Sequence, residues 1–195
     1  LEGRLIAWVR IPTLFDNNQD TVIYMYYGNA SISVPTANPT GVWNTTYGWR
    51  GVWHLKEDPS GAAPQMKDST SNANHGSSAG SMTSGDQVGG KINGSLDFDG
   101  TDDYIDFGNN TSLDLTSTGT LSAWVKFNSA PNTYAYIVGK SNSGTAGTTC
   151  YGISKDGATG RFFLWVSDDI TQLQAYTTTN SWTLGQWYHF VGVWR

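Results

Sequence analysis

The chain has 195 residues, of which 38% are hydrophobic, 14% charged and 13% aromatic, with 23 glycines and nine tryptophans. Disordered chains lack aromatics, helical bundles need an Ala/Glu/Lys/Leu periodicity that is scarce here, and no apolar run reaches the roughly 18 residues of a membrane span. A formal net charge of −5 without any Lys/Arg cluster excludes a phosphate-binding surface for nucleic acid, and the Gly/Ser/Thr/Asn-rich, aromatic remainder is the composition of an all-β fold.

Residues 1–34 hold two alternating runs, 5–11 and 21–27, joined by the polar turn Asp16-Asn17-Asn18-Gln19-Asp20. That pattern predicts an antiparallel pair. Residues 35–48 carry Pro35, Pro39, Gly41 and Gly48 among Asn and Thr and read as a linker. From Trp49 onward the alternation predicts short strands over residues 49–55, 94–98, 104–107, 120–127, 134–140, 161–167, 173–177 and 187–194. Residues 57–91 are the least regular, rich in Gly, Ser, Asn and Asp, and are expected to be ordered by something other than a hydrophobic core. In the last strand Trp187, His189, Val191 and Val193 share a face, and a strand ending there lacks its next neighbour. The expectation is a piece of a longer protein, with pairing of neighbouring copies through open strand edges as an alternative. The single cysteine, Cys150, forms no intrachain disulfide and reads as a loop or strand residue.

Five motifs follow one another: Gly51-Val52-Trp53-His54-Leu55; Asp68-Ser69-Thr70-Ser71-Asn72-Ala73-Asn74-His75-Gly76; Ser95-Leu96-Asp97-Phe98-Asp99-Gly100-Thr101-Asp102-Asp103-Tyr104-Ile105; Leu121-Ser122-Ala123-Trp124-Val125-Lys126; and Trp187-Tyr188-His189-Phe190-Val191-Gly192-Val193. Over residues 49–195 this series resembles the laminin-G-like, concanavalin A-like jelly-roll domains of prokaryotic surface proteins. Residues 1–34, with Ala7-Trp8-Val9-Arg10-Ile11-Pro12 and Ile23-Tyr24-Met25-Tyr26-Tyr27-Gly28-Asn29, look like the tail of a small upstream β domain of unassigned role. The resemblance implies an all-β antiparallel jelly-roll sandwich lacking its C-terminal strands, an extracellular or cell-surface location, and a calcium ion at a rim.

In Asp97–Tyr104 a strand–turn–strand reading points Phe98 and Tyr104 inward and crowds Asp99, Asp102 and Asp103 into the turn. Their mutual repulsion would be relieved by a hard cation with oxygen ligands, and the 68–74 loop adds oxygen donors. The candidate calcium ligands are Asp68, Asn72, Asp99, Asp102 and Asp103; the alternative is a turn in which Asp and Gly serve backbone geometry only. His54, His75 and His189 show no spacing for a transition metal. The two glutamates, Glu2 and Glu57, form no paired-carboxylate run, and Gly76-Ser77-Ser78-Ala79-Gly80 reads as a loop rather than a nucleophile elbow, so binding is favoured over catalysis.

Sugar sites stack a pyranose face on an exposed aromatic ring and hold hydroxyls with Asn, Asp and Gln. The candidates are Tyr134, Tyr136, Tyr176 and Trp182 with Asp168 and Gln172, and Asn132, Asp169 and Gln174 nearby in sequence. Trp124, Trp165 and Trp187 lie within strands and read as core. The function expected is a non-catalytic carbohydrate-binding or adhesion module with structural calcium. Its partners would be a carbohydrate or other surface component, with neither nucleic acid nor membrane insertion. The alternatives are a structural subunit of a surface assembly or filament, and an ancillary module of a polysaccharide-degrading enzyme.

Overall fold

The computed structural model describes residues 5–15, 18–129, 134–141, 150–167 and 171–195. Among these residues every strand pairing is antiparallel, and helix is confined to short single turns. The chain divides into two compact units, Leu1–Phe107 and Gly108–Arg195.

In the first unit the two alternating runs build no ladder among the described residues. The backbone N–H of Phe15 donates to Thr21 Oγ1 at 3.0 Å, and both sides of the second run, Tyr24 and Tyr26 as well as Ile23, Met25 and Tyr27, are exposed. The expected pair is therefore not formed; a two-stranded ribbon is marginal in water without a packed face. Residues 35–48 hold a short helix α1 (Pro39–Val42) and a 3-10 turn, Thr45–Tyr47. Each is capped by an asparagine: Asn38 accepts from Gly41 N at 3.0 Å and Asn44 from Thr46 N at 2.8 Å.

Four strands of three residues follow, β1 (Ser77–Ala79), β2 (Gln87–Gly89), β3 (Gly94–Leu96) and β4 (Tyr104–Asp106), paired as β1–β4 and β2–β3. The organising residue is a carboxylate. Asp68 is only 7% exposed; its Oδ1 accepts from Val52 N (3.0 Å) and Thr70 N (2.9 Å), and its Oδ2 from Thr70 Oγ1 (2.8 Å) and Asn74 N (3.0 Å). Its own N–H donates to His75 Nδ1 at 3.0 Å, and Trp53 Nε1 donates to Asn74 O at 2.7 Å. Residues 57–91 are thus ordered largely by hydrogen bonds, around the fully buried Met66. The strand expected over 49–55 shrinks to one bridge, Trp53 to Asp68.

The second unit contains β5 (Gly119–Lys126), β6 (Ala135–Lys140), β7 (Cys150–Lys155), β8 (Phe162–Ser167), β9 (Gln172–Tyr176) and β10 (Trp187–Trp194). They form two sheets, β5–β10 and β6–β7–β8–β9. Alternation sends Ile153, Phe162 and Leu164 from the larger sheet towards Leu121, Val125, Tyr188 and Phe190 from the smaller, and Phe162 and Phe190 meet with ring centroids 4.3 Å apart. A bulge between Tyr136 and Val138 turns both Ile137 and Val138 into this core. At Gly192 an added Cβ would come within 2.8 Å of Leu164 Cδ1, so a larger residue there would have to displace the Leu164 side chain. The architecture is an all-β antiparallel sandwich.

At the edge of this core Lys140 pairs with Asp114, and the Tyr151 hydroxyl donates to Leu113 O at 2.7 Å. Burial first, and the Asp114 charge second, push the Tyr151 hydroxyl up to about 12. The outer face of β5–β10 carries Trp187, His189, Val191 and Val193, as the alternation predicts; Trp187, read as core, is therefore on the outer side, with Lys126 Nζ 5.5 Å from its ring centroid. Trp124, expected as core, lies half-exposed on this same face, stacked on His189 at 4.7 Å because its strand position opposite His189 points it outward.

Candidate functional site

The other face of the four-stranded sheet, opposite the Phe162–Phe190 core, collects aromatic side chains by register. Tyr136 lies opposite Ser154, Ser154 opposite Phe163, and Phe163 opposite Tyr176, so these four residues form one row across β6, β7, β8 and β9. Phe163, only 6% exposed, is the hub. Tyr176 stacks on it at 5.1 Å and 27°, and Tyr134 meets it edge-on at 6.3 Å and 89°. The three tyrosines remain open to solvent, Tyr136 at 77%, Tyr134 at 63% and Tyr176 at 44%.

The next row is Gly139, Gly152, Trp165 and Gln174. The Trp165 indole lies so close over Gly152 that a Cβ there would meet it at 2.7 Å, and its Nε1 donates to Ser154 Oγ at 2.9 Å. Trp165 is thereby a buried support for the tyrosine row. On β9, whose five residues are all exposed, the Tyr176 hydroxyl donates to Gln174 Oε1 at 2.7 Å, which leaves the Gln174 amide N–H groups directed elsewhere. Gln172 shares this face two residues along.

Of the sequence candidates for ligand binding, Tyr134, Tyr136, Tyr176 and Gln172 are brought to this face. Trp182 is not. Its ring packs edge-on against Phe162 at 4.8 Å and near Tyr188 and Phe190, and its Nε1 is satisfied by Gly160 O at 2.9 Å, so the loop turns it into the core. Asp168, with Asn132 and Asp169, lies outside the described residues. Sequence reasoning missed Phe163; its place in the continuous apolar run Phe162-Phe163-Leu164-Trp165 marks a strand covered on both faces, which is the available signal.

The acidic turn between β3 and β4 is a second cluster. Ligand oxygens of Asp99, Asp102 and Asp103 lie within 4.8 Å of one another. Asp99 Oδ1 accepts from Thr101 N (2.7 Å) and Asp102 N (3.3 Å), and Asp103 accepts from Asp99 N (3.1 Å) and Ser81 N (3.2 Å). The Thr101 N–H, before the other backbone donors, holds the Asp99 carboxyl below its ordinary value. Gly80, at φ +84°, passes so close to this turn that a Cβ would lie 2.4 Å from Asp102 O. Phe98 and Tyr104, expected to point inward, are exposed, because hydrogen bonds rather than a local apolar core close the turn.

Asp68 is not in this acidic cluster; both its oxygens are taken up by the loop that it organises. Asn72 serves the same loop, donating from Nδ2 to Arg50 O at 2.8 Å.

Residues 99–195 match the family model Laminin_G_3, described as the concanavalin A-like lectin/glucanases superfamily. The match begins in the acidic turn and runs through the whole of the second unit; residues 49–98 lie outside it. No curated protein and no solved structure matches the chain. The match supports a module of carbohydrate-binding type. No helix among the described residues is long and apolar enough to cross a membrane.

Proposed function

Because residues 99–195 are a laminin-G-type domain of the concanavalin A-like superfamily, we propose that this segment is a non-catalytic carbohydrate-binding module working at the cell surface or outside the cell. The observation that carries the reading is the row of open tyrosines around Phe163, with Gln172 and Gln174 beside it. The C–H face of a pyranose stacks on Tyr136 or Tyr176, and the hydroxyls exchange hydrogen bonds with the amides and phenols. These groups bind sugar rings without supplying the paired carboxylates of glycoside hydrolysis. Affinity electrophoresis through gels carrying neutral polysaccharides tests this. At least one polysaccharide retards the wild type, and Tyr136→Ala and Tyr176→Ala weaken that retardation; equal retardation of both variants contradicts the reading.

Calcium at the acidic turn belongs to the same proposal. Two oxygens on opposite sides of a calcium ion are separated by about 5 Å, twice a metal–oxygen distance of about 2.3–2.6 Å, and the three carboxylates fit within that span. Asp99, Asp102 and Asp103 would hold the ion, which would supply charge neutralisation and rigidity there. Calcium raises the melting temperature over that in chelator, and Asp102→Asn removes the difference; an identical melt in both conditions contradicts it.

A second reading, assembly with neighbouring copies, is favoured by the exposed Val191, Val193 and Trp124 on the β5–β10 outer face. Light scattering separates the two, since assembly gives a mass that grows with concentration and a simple module does not.

A further inference from the structure

A cavity of about 240 Å³ opens on the first unit, lined by Arg10, Ile11, Pro12, Val42, Tyr47 and Trp49. The family match does not reach these residues. Trp49 keeps 43% of its surface exposed, and Trp43 meets it at 4.7 Å with the rings 85° apart. A perpendicular contact covers at most one face of an indole, so a flat apolar face of Trp49 stays available. Trp43 is itself braced by Trp8 at 5.2 Å and His54 at 6.1 Å, which fixes the platform.

Among the described residues Arg10 is the only charged one lining the cavity. Its guanidinium lies 5.8 Å over the Tyr47 ring, and one N–H donates to the Tyr47 hydroxyl at 3.4 Å. Among the described residues Arg10 has no carboxylate partner; the ion pair present there is Lys140 with Asp114. Guanidinium carries five donors in a planar fork that matches a carboxylate. The chain's net charge of −5 does not oppose an anion here, since exposed charges beyond about 8 Å are screened at physiological salt and the nearby Arg10 dominates.

A cavity of this size is smaller than the roughly 300–1,000 Å³ of sites for drug-sized ligands, and so suits one ring. We infer that this cavity is a second binding site, which takes a pyranose bearing a carboxylate, a uronic acid unit, stacked on Trp49 with its carboxylate on Arg10. The site is independent of the tyrosine row, and its test is kept separate from it.

The probe is trigalacturonate, titrated into the full chain while tryptophan fluorescence is followed, with neutral galactotriose as the control. The expected result is a saturable change that weakens with salt, about tenfold or more weaker binding for Arg10→Gln, and little response to the neutral sugar. Arg10 is on the surface, and circular dichroism confirms that the variant is folded. Both titrations are run in the Tyr136→Ala/Tyr176→Ala background, so that binding at the tyrosine row does not enter the signal. The proposal is overturned if the trisaccharide gives no saturable change there, or if adding Arg10→Gln, or replacing the trisaccharide by galactotriose, leaves the binding equally tight.

Discussion

At the centre of the second unit is Phe162, 1% exposed and in contact with Phe127, Trp182 and Phe190; in the first unit the central place belongs to a carboxylate, Asp68, whose two oxygens receive four donors. The strands differ accordingly. Those of the second unit run for five to eight residues, while those of the first stop at three. Apolar burial is non-directional and spreads over a whole sheet, so it sustains long regular strands. A carboxylate works through directed bonds within a few ångströms, so it orders loops and leaves the strands short. The regular unit can then present a flat face to a ligand, and the looped unit holds its shape through a few exact partners.

The comparison is tested most severely by Phe162→Ala, which removes a ring from the aromatic core and is expected to destabilise the second unit by about 3–5 kcal/mol in urea unfolding. Asp68→Ala strands four donors and is expected to cost about 2–4 kcal/mol. If that variant unfolds like the wild type, the claim that a carboxylate organises the first unit fails. Gly152→Ala drives a methyl into the Trp165 indole, with an expected loss of about 1–3 kcal/mol.

The smallest effects are in pH. The Tyr151 hydroxyl, raised from 10.0 to about 12, keeps its proton in the folded chain after the unfolded chain has lost it. Its contribution is complete below pH 10 and is lost as pH rises through about 12. Tyr151→Phe therefore flattens the alkaline fall in stability. His54 behaves in the opposite sense: burial first, then the Lys56 charge, lowers its value from 6.5, so its contribution is present above pH 6.5 and lost as pH falls through the folded value. His54→Gln reduces the acid slope, read from urea midpoints across that range.

Strands β5 and β10 were legible in the sequence because each alternates against a buried face, and β6, β8 and β9 because their aromatic and branched residues stand between polar turns, although β9 is exposed throughout. Strand β7 was not, although all six of its residues are buried. Gly152 and Ser154 are small because Trp165 lies over them, and small polar residues read as loop. The same gap hid the candidate face. Tyr134, Tyr136 and Tyr176 stand out as residue types, but the row that joins Tyr136 to Phe163 passes through Ser154 in the register of β7. Trp182 looked like a loop aromatic because nothing in its neighbours reveals that the loop returns it to Phe162. The Asp68 network was visible only as a region without periodicity, since four donors from residues 52, 70 and 74 leave no repeating pattern.

The most direct test of the central claim is a glycan array probed with the wild type, Tyr176→Ala and Trp124→Ala, one variant for each outer face of the sandwich. The account predicts a defined set of bound glycans, signals about tenfold weaker for Tyr176→Ala, and an unchanged set for Trp124→Ala. Binding lost in Trp124→Ala and kept in Tyr176→Ala would contradict it, and would move the site to the face that carries His189.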